Sequence, residues 1–287
     1  MAKSCLILDT YTGGLELDIR EVFKVQYFET LDFKPGRLRI GIFLFFNRYR
    51  IIKNYTHLSC GGFWQLFWAQ VILKDLIIVV PGIDPRYHKV YSLLIKFFRS
   101  SRIYTCDIEF HRKYGANLYT NYKRVNLEVD SSKVKTIDVL LVGRNDKNKR
   151  FAEFVDLLIE RIRRPLSVVH LGSPPLEMDG VESLGQVDNN DIDNYFRQAR
   201  TLVISSLYES SPRVIGEALR NGVPCAMTCV GNLPYIFDLE CCEGLDELIQ
   251  RVNVLLEMTE SERLNVWKKQ VNLLNAFVDD CSYPISL

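Results

Sequence analysis

Short apolar runs alternate with helical patterns through the second half of the chain. The predicted strands cover residues 137–142, 166–171, 181–184, 201–205 and 224–228, and the predicted helices cover residues 150–161, 191–199 and 214–221. In the first of these helices, Phe151, Phe154 and Leu158 recur at the spacing of one helical face. The strands are rich in Val, Ile and Leu, which is typical of strands buried on both faces. The pattern predicts an open parallel sheet flanked by helices.

A longer helix is predicted near the end of the chain. Thr259 and Glu262 form the Thr-x-x-Glu capping box that marks a helix N-terminus. One apolar face follows, which we assign to the core and which consists of Leu264, Trp267, Val271 and Leu274.

The first half of the chain has a less regular pattern and predicts a second, smaller α/β domain. Strand candidates cover residues 5–8, 38–45, 76–80 and 103–106, and helix candidates cover residues 15–23, 63–73 and 89–99. The charged stretch at 128–135 is the predicted linker. It divides the chain into an N-terminal domain of residues 1–135 and a C-terminal domain of residues 136–287. Packing of the last helix against the N-terminal domain stays open.

The composition is that of a folded, soluble chain. Of the 287 residues, 47% are hydrophobic and 25% are charged, which excludes disordered, collagen-like and coiled-coil proteins. The longest apolar runs, at 40–46 and 76–80, are far shorter than the roughly 20 residues that span a bilayer. No signal-peptide pattern opens the sequence, so we expect a cytoplasmic protein.

The two halves of the chain carry opposite charge. Residues 1–135 contain 21 Lys and Arg against 12 Asp and Glu, a net charge of +9, whereas residues 136–287 contain 15 against 23, a net charge of −8. The basic half suits an anionic partner such as a membrane surface, a lipid phosphate or a nucleic acid. The alternative, that both halves simply have solvated charged surfaces, stays open. No nucleic-acid recognition motif accompanies the basic residues.

The cysteines do not predict a metal site. None of the eight forms a CxxC pair, and no histidine stands at a partner spacing, so zinc lacks a ligand set. We expect reduced thiols and no bound metal or cofactor. The closely spaced Cys225 and Cys229, and the adjacent Cys241 and Cys242, leave a metal or redox site as the alternative.

Two cations stand where a strand gives way to a helix. The strand at 137–142 ends in Gly143 and Arg144, and Lys149 precedes the next helix. The carboxyl end of a parallel strand that opens onto a helix N-terminus is a common phosphate site, because unpaired amides and the helix dipole favour negative charge there.

Two carboxylates follow in the stretch 205–231, which reads SSLYESSPRVIGEALRNGVPCAMTCVG. Glu209 lies in the loop after a predicted strand, and Glu217 lies on the helix that follows. Between them, Ser210, Ser211 and Arg213 place backbone amides near the helix N-terminus. Carboxylates at these two positions could accept hydrogen bonds from sugar hydroxyls.

These stretches, with LVGRNDKNK at 141–149 and VESLGQVDNNDIDNYFRQARTLVISS at 181–206, resemble the donor half of retaining glycosyltransferases of the GT-B fold, especially glycosyltransferase family 4. The matching positions of the Glu-x7-Glu motif and its surroundings are Glu209, Pro212, Glu217, Ala218, Gly222 and Pro224. The resemblance covers roughly residues 137–235. It implies two Rossmann-like domains with parallel sheets that face a central cleft, the N-terminal one shortened.

The resemblance also implies a role for each matching residue. Arg144 and Lys149 would hold the donor diphosphate and stabilise the leaving group, beside Gly143. Glu217 would bind the ribose, and Glu209 would contact the transferred sugar and complete the catalytic set. The base pocket would include Gly185 and Val187, and the amides around Ser210, Ser211, Pro212, Arg213 and Val214 would support the sugar and phosphate. The nucleotide sugar is then a substrate, and no metal is required.

The sequence departs from the family pattern at two positions. Arg150 stands where the family usually has glycine after the lysine, and Arg213 stands at a loop position that is commonly apolar. In the N-terminal half, Gly13 and Gly14 resemble the glycine loop that approaches donor phosphate, although an ordinary turn is an equal reading. The first three of the four histidines lie in this half, and none has a motif that assigns it a catalytic role.

The resemblance implies a glycan or lipid-linked acceptor bound by the N-terminal domain. A basic amphipathic helix at 88–102, with Val90, Phe97 and Lys96 among its members, predicts peripheral association with an anionic membrane. Packing of its apolar side in the core is the alternative. A non-catalytic relative that only binds a sugar nucleotide, and a glycosyltransferase that acts on nucleic acid, are the competing functions.

Overall fold

The computed structural model describes residues 4–7, 27–30, 37–59, 63–73, 77–80, 103–128, 134–188 and 191–281. The chain divides into two compact units. One comprises the described residues up to Asn121 together with Cys281, and the other comprises Tyr122–Asp280. Each unit contains a six-stranded sheet, and the neighbouring strands run parallel. The predicted α/β class is therefore confirmed.

The N-terminal sheet has the order β2-β1-β3-β4-β5-β6. Its strands are Ser4–Ile7 (β1), Tyr27–Thr30 (β2), His57–Ser59 (β3), Ile77–Val80 (β4), Ile103–Thr105 (β5) and Asn117–Leu118 (β6). The described helices of this unit are Arg37–Asn54 (α1), Phe63–Ile72 (α2) and Ile108–Tyr114 (α3). The predicted helices at 15–23 and 89–99, and the pair Gly13 and Gly14, lie outside the described residues.

One prediction for this unit is wrong, because residues 38–45 belong to helix α1 and not to a strand. Ile40, Leu44 and Ile51 occupy one side of the helix and are buried in the core of the N-terminal unit. Phe45 and Phe46 belong to the same apolar run but are exposed. Since both sides of the helix carry apolar residues here, the 3.6-residue period is hidden and the run looks like a buried strand.

The C-terminal sheet has the order β12-β11-β10-β7-β8-β9. Its strands are Ile137–Val142 (β7), Val168–Leu171 (β8), Val181–Ser183 (β9), Ala199–Ile204 (β10), Cys225–Thr228 (β11) and Cys241–Cys242 (β12). Its helices are Phe151–Arg161 (α4), Ile192–Gln198 (α5), Arg213–Arg220 (α6), Leu233–Phe237 (α7), Leu245–Glu257 (α8) and Glu260–Asp280 (α9). The predicted strands and helices of this half are confirmed within two residues, whereas α7, α8 and β12 were not predicted.

Helix α9 begins with the predicted capping box. The Thr259 hydroxyl accepts a hydrogen bond from the Glu262 amide at 3.3 Å, and the Glu262 carboxylate accepts one from the Thr259 amide at 2.7 Å. Trp267 is fully buried, and its Nε1 donates to the Leu219 carbonyl at 2.7 Å. Helix α9 therefore packs on α6 inside the C-terminal unit.

The border between the units lies before the predicted linker. The Tyr122 hydroxyl donates to the Pro212 carbonyl at 3.3 Å. The Val125 amide donates to Asn275 Oδ1, and Asn275 Nδ2 donates back to the Val125 carbonyl, both at 2.8 Å. Because Tyr122 and Val125 are also buried in the C-terminal core, the residues from 122 onward belong to this unit and not to the N-terminal one.

Candidate functional site

The C-terminal sheet reverses its direction of winding between β7 and β10. From β7 the chain adds β8 and β9 on one side, and β10 then returns to the other side of β7. Loops that leave two such strands diverge, and the crevice they leave at the carboxyl ends is the usual ligand site of an open parallel sheet. The loops at 143–150 and 205–212 follow β7 and β10, and they hold seven of the fourteen predicted site residues.

The two loops are fastened together by an interaction that we term the loop clasp, formed by Asn148 and Lys149 with Ser205 and Tyr208. Asn148 Nδ2 donates to the Tyr208 carbonyl at 2.8 Å, and Asn148 Oδ1 accepts from the Tyr208 amide at 3.0 Å. The Ser205 hydroxyl donates to the Lys149 carbonyl at 2.6 Å. Sequence reasoning did not identify Asn148, Ser205 or Tyr208, because their partners lie about 60 positions away in the chain.

The loop clasp brings Lys149 and Glu209 into a direct ion pair. Their side chains are only 16% and 19% exposed, and the Ser206 hydroxyl donates to Glu209 Oε1 at 3.1 Å. Gly143 makes room for the lysine, because a Cβ there would come within 3.2 Å of Lys149 Cε. Two residues predicted for the catalytic set therefore share one charge-assisted contact.

Arg144 occupies a more exposed position in the same loop. Its Nη2 lies 3.5 Å from Asp146 Oδ2, and its side chain is 58% exposed. Asp146 Oδ1 accepts hydrogen bonds from the amides of Asn148 and Lys149 at 3.0 and 3.1 Å, which shapes the turn before α4. The two predicted phosphate-binding cations thus differ, since Lys149 is screened from solvent and Arg144 faces it.

A row of glycines runs along the carboxyl ends of β7, β8 and β9. The Gly143 amide donates to the Leu171 carbonyl at 2.8 Å, and the Gly172 amide donates to the Gly185 carbonyl at 2.7 Å. A Cβ on Gly172 would lie 1.7 Å from the Gly143 oxygen, so only glycine fits there. Gly172 was not predicted as a site residue, although it follows a strand directly, as Gly143 does.

His170 supports this row from inside the sheet. The Leu176 amide donates to Ser183 Oγ at 2.8 Å, Ser183 Oγ lies 2.9 Å from His170 Nδ1, and His170 Nε2 lies 3.0 Å from the Gly143 carbonyl. A carbonyl only accepts, so Nε2 carries the proton and Nδ1 accepts from the serine. Burial lowers the pKa of His170, against a smaller opposing effect of the Gly143 carbonyl, and this favours the neutral ring. Sequence reasoning missed this histidine because it stands inside a strand with no motif around it.

Glu217 lies on α6 in a different environment from Glu209. It is half-buried, and no side chain or amide of the described residues hydrogen-bonds its carboxylate. Burial raises the pKa of this carboxyl, Arg213 and Arg220 lower it, and Asp193 raises it. Both oxygens are therefore available to accept hydrogen bonds from a ligand.

The turn after β11 packs closely against the loop from Glu209 to Pro212. Gly231 has a φ of +54°, and a Cβ there would lie 2.0 Å from the Glu209 carbonyl oxygen and 2.5 Å from that of Ser210. The amide of the buried Asn232 donates to the Ser210 carbonyl at 2.9 Å. Pro212 is the extended residue before α6, so Arg213 begins the helix and does not lie in the loop as predicted.

The departure at Arg150 now has a structural explanation. Its φ of 52° lies in the left-handed region, which favours glycine. Its Nε donates to the Ser205 carbonyl at 2.8 Å, so the side chain adds a further bond between the two loops. Arginine adopts this positive φ at a higher energetic cost than glycine, but its side chain forms a hydrogen bond that glycine could not form.

Gly185 and Val187, predicted for the base pocket, lie beyond β9. Gly185 has a φ of +67°, and a Cβ there would meet no atom within 4 Å. Val187 packs against the C-terminal core as a partly buried residue. Gly185 is linked to the candidate site through its hydrogen bond with Gly172.

The cysteines of the described residues are free thiols. Cys229 and Cys241 hydrogen-bond each other, and burial raises the pKa of both thiols. Burial also raises the pKa of Cys242 to about 11. Raised values disfavour the thiolate that binds metals and attacks disulfides. Within the described residues, no group of three or more His, Cys, Asp or Glu could hold a metal ion.

The helices of the described part of the chain include none that is long and apolar enough to cross a membrane.

Known proteins resemble this chain in sequence and in fold. Residues 136–257 match the profile of the family "Glycosyl transferases group 1". A curated relative, an uncharacterized 41.2 kDa protein in the cps region of Klebsiella pneumoniae, is 25% identical over 153 residues. That match covers 50% of this chain and 42% of the relative's length.

Solved structures resemble the chain over nearly its whole length. A glycosyltransferase from Rickettsia africae ESF-5 has a TM-score of 0.64 at 10% identity and covers 97% of this chain and 95% of its own. HepE from Anabaena, in complex with UDP and glucose, has a TM-score of 0.67 at 15% identity, with 98% and 95% covered. A UDP-forming α,α-trehalose-phosphate synthase from Burkholderia xenovorans, in complex with glucose-6-phosphate, has a TM-score of 0.67 at 11% identity, with 96% of each chain covered. The predicted GT-B fold is confirmed.

Proposed function

We propose that this protein is a glycosyltransferase that moves a sugar from a nucleotide-sugar donor to a hydroxyl group of a glycan, glycolipid or other acceptor. The observation that carries the proposal is the Lys149–Glu209 pair, held between the loops after β7 and β10 at the switch point of the sheet. Support also comes from the family profile matched by residues 136–257. An intact pair of this kind favours an enzyme over a relative that only binds the nucleotide sugar.

The donor would lie along the carboxyl ends of the C-terminal strands. Lys149 and Arg144 would bind the diphosphate, because ammonium and guanidinium groups form charge-assisted bonds with phosphate oxygens. The carboxylate of Glu217, which lies on α6 within the electrostatic influence of Arg213 and Arg220, would accept hydrogen bonds from the ribose hydroxyls. UDP is the nucleotide in the structure of HepE, so a uridine nucleotide is the first donor to test.

The proposed reaction retains the configuration of the anomeric carbon. The bond between this carbon and the departing diphosphate breaks, and Lys149 and Arg144 stabilise the negative charge that develops on the diphosphate. The oxygen of the acceptor hydroxyl forms its bond to the anomeric carbon on the same face, and its proton passes to an oxygen of the departing diphosphate. Glu209 would contact the transferred sugar through Oε2, since Lys149 and the Ser206 hydroxyl both bond Oε1. No metal is needed, since the two cations offset the charge of the leaving group.

The acceptor would bind to the N-terminal unit, in the cytoplasm. Residues 1–121 contain 17 Lys and Arg against 10 Asp and Glu, a net charge of +7, which suits an acceptor that bears phosphate or lies at an anionic surface.

A panel of UDP, GDP, ADP and dTDP sugars tests the proposal. A specific donor should raise the unfolding temperature through its binding free energy, and it should be slowly hydrolysed in the absence of acceptor. The Lys149→Ala variant should lose both effects. Stabilisation without hydrolysis or transfer to any acceptor would favour the non-catalytic relative, and the absence of stabilisation by every donor would contradict the proposed site.

A further inference from the structure

Helix α1 turns large apolar side chains toward solvent. Ile42, Phe45, Phe46 and Tyr49, which we call the outer face of α1, are 49%, 67%, 79% and 81% exposed. The opposite side of the helix carries Ile40, Leu44 and Ile51, which are buried in the N-terminal core. The core therefore uses one side of this helix and leaves the other, equally apolar side uncovered.

Cations border the outer face on both sides. Successive residues of a helix are rotated by about 100°, so Arg48 and Arg50 flank Tyr49 on opposite sides, and Lys53 follows Tyr49 one turn later. All three are exposed. The helix sequence RLRIGIFLFFNRYRIIKN contains five cations and no acidic residue.

Four large apolar side chains on one helix face are unusual for a surface that contacts only water. Contiguous apolar patches on a soluble surface usually mark a binding site, and two aromatic rings here already stack edge to face, with 5.7 Å between the centroids of Phe45 and Phe46. The helix is also not apolar enough to cross a bilayer. An apolar strip with basic margins is instead the pattern of a helix that lies in the plane of a membrane interface.

We infer that the outer face of α1 docks on an anionic phospholipid membrane. The aromatic and aliphatic side chains of the face would enter the boundary between headgroups and acyl chains, while Arg48, Arg50 and Lys53 would contact the phosphates. Since α1 has no acidic residue, Arg48, Arg50 and Lys53 make the C-terminal part of the helix complementary in charge to anionic lipid. This surface goes beyond the proposed glycosyl transfer and does not depend on it. It also differs from the helix predicted at 88–102, which lies outside the described residues.

Flotation of the full chain with phosphatidylcholine vesicles, with and without phosphatidylglycerol, tests the inference. The chain should bind neutral vesicles weakly through its apolar outer face and should bind vesicles that contain phosphatidylglycerol more strongly at low salt, and added salt should weaken the stronger binding. The combined change of Phe45, Phe46 and Tyr49 to Ser should abolish binding to both kinds of vesicle. Changing Arg48, Arg50 and Lys53 together to Gln should lower partitioning to the anionic vesicles about a hundredfold and leave binding to neutral vesicles unchanged.

Matched controls remove similar groups from exposed positions of the C-terminal unit. The apolar control changes Val134, Leu239 and Val254 to Ser, and the charge control changes Arg163, Arg164 and Lys268 to Gln. Both controls should bind like the parent chain. All variants alter exposed side chains, so unfolding temperatures close to that of the parent should show that they fold. If the aromatic variant failed to fold, the variant of the three cations would carry the test.

Three results would overturn the inference. The parent chain could fail to bind anionic vesicles at low salt, or the controls could lose as much binding as the test variants. In the third, sedimentation would show a dimer of the parent chain that the aromatic variant converts to monomer without any change in vesicle binding, and the outer face would then bind a second copy of this chain.

Discussion

Glu209 and Glu217 lie eight positions apart in the chain, yet their carboxylates are held in opposite ways. Glu209 is bonded by Lys149 and by the Ser206 hydroxyl, in a loop that rests on Gly231. Glu217 lies on a helix, is half-buried, and has no hydrogen-bond partner for its carboxylate among the described residues. Oε1 of Glu209 therefore already accepts two hydrogen bonds, whereas the described residues give no hydrogen bond to the carboxylate of Glu217.

The difference indicates how the two ends would respond to a ligand. A ligand that binds Lys149 or Oε1 of Glu209 competes with bonds that already exist, so its gain is a difference between two sets of interactions. A ligand that reaches Glu217 makes hydrogen bonds where none exist and gains their full value, less the cost of desolvation. We therefore expect Glu217 to contribute to affinity for the nucleotide and the Lys149–Glu209 end to contribute to the reaction.

The largest expected effect comes from breaking the support beneath Glu209. The Gly231→Ala variant would place a Cβ 2.0 Å from the Glu209 carbonyl oxygen, so the loop must move and the free energy of unfolding should fall by roughly 3 kcal/mol or more. The matched control is Gly180→Ala, which also has a positive φ, of +79°, but whose Cβ would meet only Ile159 Cδ1, at 3.7 Å.

The control should lose about 1 kcal/mol, from backbone strain alone. Urea denaturation of the two variants measures the difference. Equal losses would show that the turn after β11 does not support the Glu209 loop.

The next effect is on catalysis. Lys149→Ala and Arg144→Ala should each lower kcat/KM by about 2 kcal/mol or more of transition-state stabilisation, because a charged contact to the leaving diphosphate is lost. The loss should be larger for Lys149, whose side chain is 16% exposed against 58% for Arg144, since water screens the exposed cation more strongly. Lys147→Ala, an exposed lysine of the same loop, is the control and should behave like the parent. Two folded variants that transfer sugar at the parent rate would rule out this assignment.

The different roles proposed for Glu217 and Glu209 can be tested with one variant of each. Glu217→Ala should weaken the binding of free nucleoside diphosphate by about 1.5 kcal/mol, the value of a hydrogen bond to a charged group. Glu209→Ala should spare nucleotide affinity, because Lys149 remains free to bind the diphosphate, and should impair transfer. Calorimetry with the nucleotide and turnover assays together measure this, and an equal loss of nucleotide affinity in both variants would refute the division of roles.

The smallest expected effect is on the pH dependence of stability. Burial raises the pKa of Glu217, so the folded chain binds this proton more tightly than the unfolded chain does. The stabilising contribution is present below the unfolded pKa and is lost as pH rises through the raised folded pKa. The loss should be less than about 1 kcal/mol, because solvent and the nearby arginines screen the charge.

The Glu217→Gln variant should not show this loss, whereas Glu153→Gln, at an exposed carboxylate of α4, should retain it. Denaturation at a series of pH values measures both. Parallel curves for the parent and the Glu217→Gln variant would contradict the environment described for Glu217.

Much of the C-terminal unit could be predicted because its signals are local. Phe151, Phe154 and Leu158 share one face of α4, and the capping box of Thr259 and Glu262 spans four residues, so neither depends on the rest of the fold. In α1 the local pattern led to the wrong prediction of a strand, because the apolar residues of this helix lie on both its buried and its exposed side. Whether an apolar side chain is buried depends on what packs against it, and the order of residues does not contain that.

The sequence by itself determined the alternation of strands and helices in the C-terminal half, the charge of each half, and the residue types at 144, 149, 209 and 217. Only the tertiary structure decided that Lys149 meets Glu209, that His170 bonds the carbonyl of Gly143, and that the outer face of α1 is exposed. Local elements follow from backbone preferences and side-chain periodicity within a few residues. Contacts across 60 positions follow from the order of strands in the sheet, which places β10 beside β7 and so joins loops that the chain keeps apart.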